Sequence, residues 1–170
     1  ILAMGLNEGG HLSHGAKFHE SGKRYKVLHY GVHKDTERID YDEIEKLALK
    51  FRPKLIICGA SSYPRNIDFC RFSKIAKCVK ALLWADIAHT VGLIAAGLVP
   101  SPLPHADFVT SSTHKTWRGP RGGAIILCRE EWAKKIDRAV FPGFQGAPKM
   151  DLIAARAAFF KEVMTKEFCA

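Results

Sequence analysis

The sequence is short of the features that would assign a class at a glance. Its five cysteines form no C-x-x-C pair, and an odd number in 170 residues argues against a disulfide framework. A reducing, cytoplasmic setting is the expectation that follows. No basic start leads into an apolar signal core, and the longest apolar run, Thr90 to Val99, is about half of what a membrane span needs. No membrane association is expected. The 26 Lys and Arg outnumber the 17 Asp and Glu to give a net charge of +9, yet they are scattered, with no long basic block and no aromatic RNA-binding signature. Nucleic acid is therefore not an expected partner, and a basic cleft that attracts anionic ligands is the better use of the charge. The cysteines and histidines do not fall at zinc-finger spacing, so no metal is expected. Internal repeats, low-complexity tracts and a linker to a second complete domain are also missing.

What remains is an alternation of elements. Tyr25 to Val32 mixes aromatic and β-branched residues with polar ones, the mark of a strand. Asp40 stands three residues before Glu43, as in a capping box, and Ile44, Leu47, Ala48 and Phe51 share one helical face until Pro53 ends the pattern. Leu55 to Cys58 is a short apolar run bounded by Gly59 and Ser61, as expected of a strand covered on both faces. Phe69, Phe72, Ile75, Ala76 and Val79 predict a second amphipathic helix, and Leu82 to Ala85 a further buried strand ending at Asp86. After a small-residue stretch and the Pro-rich loop from Pro100 to Pro104, Phe108 to Thr110 starts another strand that runs into Lys115. Strand, helix and strand repeated in this way make the βαβ unit of a parallel, doubly wound sheet. Only a short link joins Lys115 to the apolar strand Gly122 to Cys128, so that strand is expected to run antiparallel. Beyond Glu130 the pattern predicts helix, a loop over Phe141 to Pro148, and helix.

Ligands of such sheets bind beyond the carboxyl ends of the strands, where Ser61, Asp86 and Lys115 all fall. A lysine there is informative only in company. Asp86 supplies it, because a carboxylate at the end of a buried strand is costly unless a cation meets it. A protonated pyridine nitrogen is such a cation, and a lysine amine with a pyridinium partner is what a pyridoxal-phosphate site requires. His11 sits on a Gly-rich loop, G-G-H-L-S-H-G, where an imidazole can lie flat on a ring. His89 follows Asp86 by three residues in D-I-A-H.

The segment S-S-T-H-K-T-W-R-G-P-R-G-G at 111 to 123 closely resembles the cofactor-lysine motif of the serine hydroxymethyltransferases. G-G-H-L-S-H-G at 9 to 15, S-G-K at 21 to 23, A-D-I-A-H-T-V-G-L-I-A-A-G at 85 to 97 and V-F-P-G-F-Q-G-A-P at 140 to 148 resemble family segments in the same order. The resemblance covers essentially the whole chain. It implies a fold-type-I large domain, a three-layer αβα structure on a mostly parallel doubly wound sheet with one antiparallel strand. It also implies a homodimer or homotetramer. The implied reaction converts L-serine and tetrahydrofolate reversibly to glycine and 5,10-methylenetetrahydrofolate, with pyridoxal 5'-phosphate as cofactor. A threonine-aldolase-like lyase and a non-catalytic fragment are the alternatives.

Carried over residue by residue, the resemblance makes Lys115 the lysine of the aldimine and gives His114 a part in reaction choice. It stacks His11 on the pyridine ring and pairs Asp86 with the ring nitrogen, while Ser61 and His89 bond around the ring hydroxyl and the substrate carboxylate. Leu6, Gly10 and Leu12, beside His11, match positions that line the tetrahydrofolate pteridine. Gly146 falls among cofactor-binding positions, and Ala147 stands where the family has a glycine that reaches the phosphate of the neighbouring subunit. Arg121 is expected to support the loop behind the lysine. Residues 1 to 170 are expected to be the central part of the large domain. The N-terminal arm, the Ser-Gly phosphate loop, the substrate arginine and the small domain would lie outside, leaving the isolated chain inactive.

Overall fold

The computed structural model describes residues 1–169 as an α/β unit on a six-stranded sheet. Strand β1 (Leu2–Met4) is followed by a glycine-rich loop, the short helix α1 (Glu20–Arg24) and β2 (Leu28–Tyr30). Then come α2 (Tyr41–Phe51), β3 (Leu55–Gly59), α3 (Phe69–Val79), β4 (Leu82–Asp86), α4 (Val91–Ala95), β5 (Phe108–Ser112) and β6 (Ala124–Cys128). The chain continues through α5 (Glu130–Arg138) into α6 (Met150–Val163). The strand order is β2-β1-β3-β4-β5-β6, parallel throughout except for the antiparallel β5–β6 pair.

The two central helices form for the reasons their sequences give. Asp40 accepts a hydrogen bond from the Glu43 amide at 3.0 Å, and Asp68 accepts one from the Arg71 amide at 2.9 Å, so each helix starts with a capped N-terminus. Each ends on a residue in the left-handed region, Arg52 and Lys80, where the helical pattern stops. Between the caps, Ile44 and Ala48 of α2 and Phe69, Phe72, Ile75, Ala76 and Val79 of α3 are buried. They meet Leu2 and Met4 of β1, Ile56 and Cys58 of β3, Leu83 and Ala85 of β4, and Val109 of β5 in one core. Burying an aliphatic or aromatic side chain contributes about 1.5–3 kcal/mol, so this cluster dominates the stability of the unit.

Strand residues one step out of phase point to the opposite face. Trp84, Asp86 and Thr110 lie there, with Asp86 paired in register to Gly59 on one side and Thr110 on the other. The Trp84 indole N–H donates to Thr110 Oγ1 at 2.7 Å, and the buried His14 ring packs edge-on to Trp84. The Gly-rich loop after β1 thus folds onto this second face, which bears the polar strand-end residues.

Several elements differ from the sequence pattern: α1 and α4 are not expected from it, a helical turn over Ala139–Phe144 enters the expected loop, and two strands change. The strand expected over Tyr25 to Val32 narrows to Leu28–Tyr30, because Tyr25 caps α1 with its amide bonded to the Ser21 carbonyl. The three-residue β1 carries no visible period, yet it lies inside the sheet between β2 and β3 with all its residues buried. Its position decides where a ligand can sit. The chain leaves β1 toward β2 on one side and reaches β3 on the other, so the strand order reverses there and opens a crevice at the carboxyl ends of β1 and β3.

Candidate functional site

Two loops meet at that crevice. The Gly9 carbonyl accepts hydrogen bonds from the amides of Ser61 at 2.7 Å and Ser62 at 3.1 Å, joining the loop after β1 to the loop after β3. Gly9 has φ +105°, and a Cβ on it would sit 2.7 Å from the Ser62 carbonyl oxygen, so the junction closes only around a glycine. A Cβ at Gly10 would likewise run into the Met4 carbonyl. The backbone that carries His11 is therefore held close to the sheet edge.

His11 opens a short turn in which its Nδ1 accepts from the Ser13 amide at 3.2 Å, and its ring stays exposed. His14, three residues on, is only 1% exposed and places Nε2 2.9 Å from Asp86 Oδ2. The His11 amide points at His14 Nδ1 over a long 3.5 Å, a pattern that puts the proton on Nε2 and makes it the donor to Asp86. Asp86 Oδ1 accepts from the Ala88 amide at 3.2 Å. Burial works against ionisation of Asp86, but the His14 hydrogen bond and nearby positive charge outweigh it and hold the carboxyl below its ordinary value. Asp86 is thus an ionised carboxylate, oriented by donors on both oxygens.

Lys115 lies three residues beyond β5 in a turn pinned by Thr113, which is fully buried. The Thr113 hydroxyl donates to the Pro120 carbonyl at 2.6 Å, and the Thr113 carbonyl accepts from the Gly119 amide at 2.8 Å. Thr116 Oγ1 accepts from the Gly92 amide at 3.1 Å and ties the turn to α4. Lys115 itself is half-buried, and its Nζ makes no ion pair or hydrogen bond among the described residues. Desolvation lowers the pKa of both His11 and His89, with the Lys115 cation adding to the fall and the Asp86 carboxylate opposing it. Lys115, Asp86, His11 and His89 therefore share one electrostatic locus.

Buried polar atoms without partners mark the same place. Among the described residues these include Ser61 Oγ, Ser112 Oγ and His114 Nδ1, which flank the ends of β3 and β5. Unpaired buried groups are expensive, and a ligand that bonds to them removes the cost. Leu6 and Leu12 are exposed at 43% and 41% and present apolar surface on the Gly-rich loop, whereas Gly10 is buried beneath it. Gly146 stands in the exposed segment before α6 with nothing within 4 Å of where a Cβ would be, and Ala147 is exposed beside it. Arg121 is exposed and makes no side-chain hydrogen bond among the described residues, so it does not support the lysine turn as expected.

The residue that sequence reasoning passed over is His14. Its signal was present as the second histidine of G-G-H-L-S-H-G, but only the fold reveals that it is buried against a carboxylate 72 positions away. His29 and His33 stand four apart, yet they span the end of β2 rather than one helix face, and the described residues contain no group of three or more candidate metal ligands.

An open, mostly parallel sheet with a lysine, an oriented carboxylate and unpartnered hydroxyls at the carboxyl ends of its strands defines an α/β protein built to hold a polar ligand there. The family model for serine hydroxymethyltransferase matches residues 1–170, and the chain belongs to that family. Its members are pyridoxal-phosphate-dependent transferases of one-carbon metabolism. The residues present fit that cofactor: Asp86 is an ionised partner for a protonated ring nitrogen, Lys115 an uncommitted amine, and Ser61 and Ser112 hydroxyls in need of partners.

The two exposed-side histidines give a test that needs no ligand. Because burial depresses both, each favours its neutral form in the folded state; the stability this confers is complete above the ordinary value of 6.5 and is lost as pH falls toward the folded midpoint. In the cofactor-free protein, NMR titration is expected to place the His11 and His89 midpoints below 6.5. A midpoint at or above that value for either ring contradicts the arrangement described.

Proposed function

We propose that this chain is the central part of the large domain of a serine hydroxymethyltransferase, which converts L-serine and tetrahydrofolate reversibly to glycine and 5,10-methylenetetrahydrofolate. The observation that carries the reading is that Lys115, Asp86, His11 and His89 lie within electrostatic reach of one another at the carboxyl ends of the strands, with unpartnered Ser61 and Ser112 hydroxyls at the ends of β3 and β5. When bound, pyridoxal phosphate supplies an electron sink for the charge that develops as a bond at the amino-acid α-carbon breaks.

Each residue then has a role set by its own chemistry. Lys115 provides the primary amine that anchors the cofactor covalently. Asp86, held ionised by His14 and the Ala88 amide, keeps a proton on the ring nitrogen and so sustains its electron demand. His11 is exposed on a loop that cannot retreat, since Gly9 is bonded to both Ser61 and Ser62, and it covers one ring face. Ser61 and His89 bond near the ring hydroxyl and the substrate carboxylate. His114, whose Nδ1 has no partner among the described residues, holds a substrate group beside the lysine. The exposed Leu6 and Leu12, with Gly10 beneath them, offer an apolar surface for the pteridine of tetrahydrofolate. Gly146 joins the cofactor-binding positions, and the rest of the site is supplied by a homodimer or homotetramer of the full-length protein in the cytoplasm.

The direct test reduces the cofactor-loaded full-length protein with borohydride and maps the labelled peptide. The pyridoxyl group is expected on Lys115, and the visible absorbance of the unreduced protein is expected to track one cofactor per subunit. A label on any other lysine sinks the assignment. Serine cleavage that proceeds at the same rate without tetrahydrofolate would favour an aldolase-type lyase instead.

A further inference from the structure

Helix α6 carries one charge in an otherwise apolar stretch: Arg156 is the only ionised residue between Asp151 and Lys161. Its side chain is half-buried and reaches back to the loop before β6. Nη2 donates to the Gly122 carbonyl at 2.8 Å, and the planar group lies against the α-carbon of Gly123, where any Cβ would collide with Nε, Cζ and Nη2. Nε is buried without a partner among the described residues. Gly122 and Gly123 close the turn that bears Lys115, and the Gly123 carbonyl in turn accepts from the Thr113 amide at 3.2 Å. Two further contacts join the same helix to the same turn. Trp117 packs edge-on to Phe159 at 5.6 Å and to Phe160 at 5.3 Å, and a Cβ on Gly119 would meet the Phe159 ring at 2.8 Å.

We infer that Arg156 is a positioning residue for Lys115: it clamps the closing end of the lysine turn to α6 and fixes where the amine stands relative to Asp86. Thr113 holds the turn from the sheet side and Arg156 holds it from the helix side. Arg156 is half-buried, and its buried, idle Nε carries a cost that an apolar side chain in the same place would not. The carbonyl bond is what an apolar residue cannot provide. Small misplacements of a reacting group cost large factors in rate, so a clamp at this point bears on the chemistry without touching the cofactor.

The inference rests on Lys115 as the cofactor lysine, and the experiment separates the two. In the cofactor-free full-length protein, hydrogen exchange is read at the amides of Thr113 and Gly119 in wild type, Arg156→Met, Arg156→Lys and Gly123→Ala. Exchange is expected to speed by about tenfold in Arg156→Met and Gly123→Ala, with β3, β4 and α3 unchanged, and to be partly restored in Arg156→Lys. The Arg156→Met and Gly123→Ala effects are expected not to add, since both remove one contact. In the loaded protein, the rate of cofactor release followed by visible absorbance is expected to rise by a similar factor in Arg156→Met and to recover in Arg156→Lys. Unchanged exchange at Thr113 and Gly119, or a uniform rise across the sheet, overturns the clamp. Faster local exchange with unaltered cofactor release overturns the positioning role alone. A borohydride label absent from Lys115 would instead remove the reading beneath it while leaving the exchange result standing.

Discussion

Lys115→Ala is expected to abolish covalent attachment of the cofactor and to lower turnover by about 10³-fold or more, with almost no change in folding. The two effects separate because of where the side chain sits. Lys115 is half-buried and makes no ion pair or hydrogen bond among the described residues, so removing it breaks nothing in the protein. Substitutions of that kind usually stay within about 0.5 kcal/mol. The turn around it is held by other groups, namely the Thr113 hydroxyl on the Pro120 carbonyl, the Thr116 hydroxyl on the Gly92 amide and Arg156 on the Gly122 carbonyl. The measurement pairs borohydride labelling with a thermal melt of the full-length variant. Retained labelling, or near-normal turnover, would show that another amine does the work.

Asp86→Asn is expected to reduce turnover by about 10²–10³-fold while costing only about 1 kcal/mol of stability. The asparagine keeps one oxygen, which can accept from His14 Nε2 or from the Ala88 amide but not from both, so one of the two contacts is lost while the size and shape of the side chain are kept. It also loses the charge. A neutral amide gives a ring nitrogen no reason to remain protonated, and the electron demand of the bound cofactor falls with it. The pH dependence of stability provides a second check. The folded Asp86 carboxyl lies below its ordinary value of 3.8, so its stabilising contribution is complete above that value and is lost as pH falls through the folded one. The stability gap between wild type and Asp86→Asn is therefore expected at neutral pH and to shrink in acid. A large loss of stability with turnover intact would make Asp86 a structural residue.

Much of the fold was legible because its central elements satisfy local rules without conflict. The cap Asp40, the apolar spacing of α2 and α3, and the continuous apolar runs of β3 and β4 all point to the structure that forms. The antiparallel β6 followed from the length of the link after Lys115, since a parallel return has to cross the sheet. The short strand β1 was not legible. Leu2–Met4 is too brief to show an alternation, and its strand state comes from pairing with β2 and β3 on both sides.

The candidate site divides along the same line. Sequence alone brought out Lys115, Asp86, Ser61 and His89, because each follows a recognisable strand end, and His11, because a histidine among glycines stands out. It also placed them together at one end of the sheet, since parallel strands send all their carboxyl ends one way. Only the tertiary structure decided that His14, not a free cation, orients Asp86 across 72 positions of chain, and that Arg156 rather than the exposed Arg121 braces the lysine turn. The reason is physical: a residue's helical or strand state is set mainly by its neighbours within a few positions, whereas burial and partner choice depend on sheet register and loop closure. Those are fixed by contacts between segments far apart in sequence, and no local pattern encodes them.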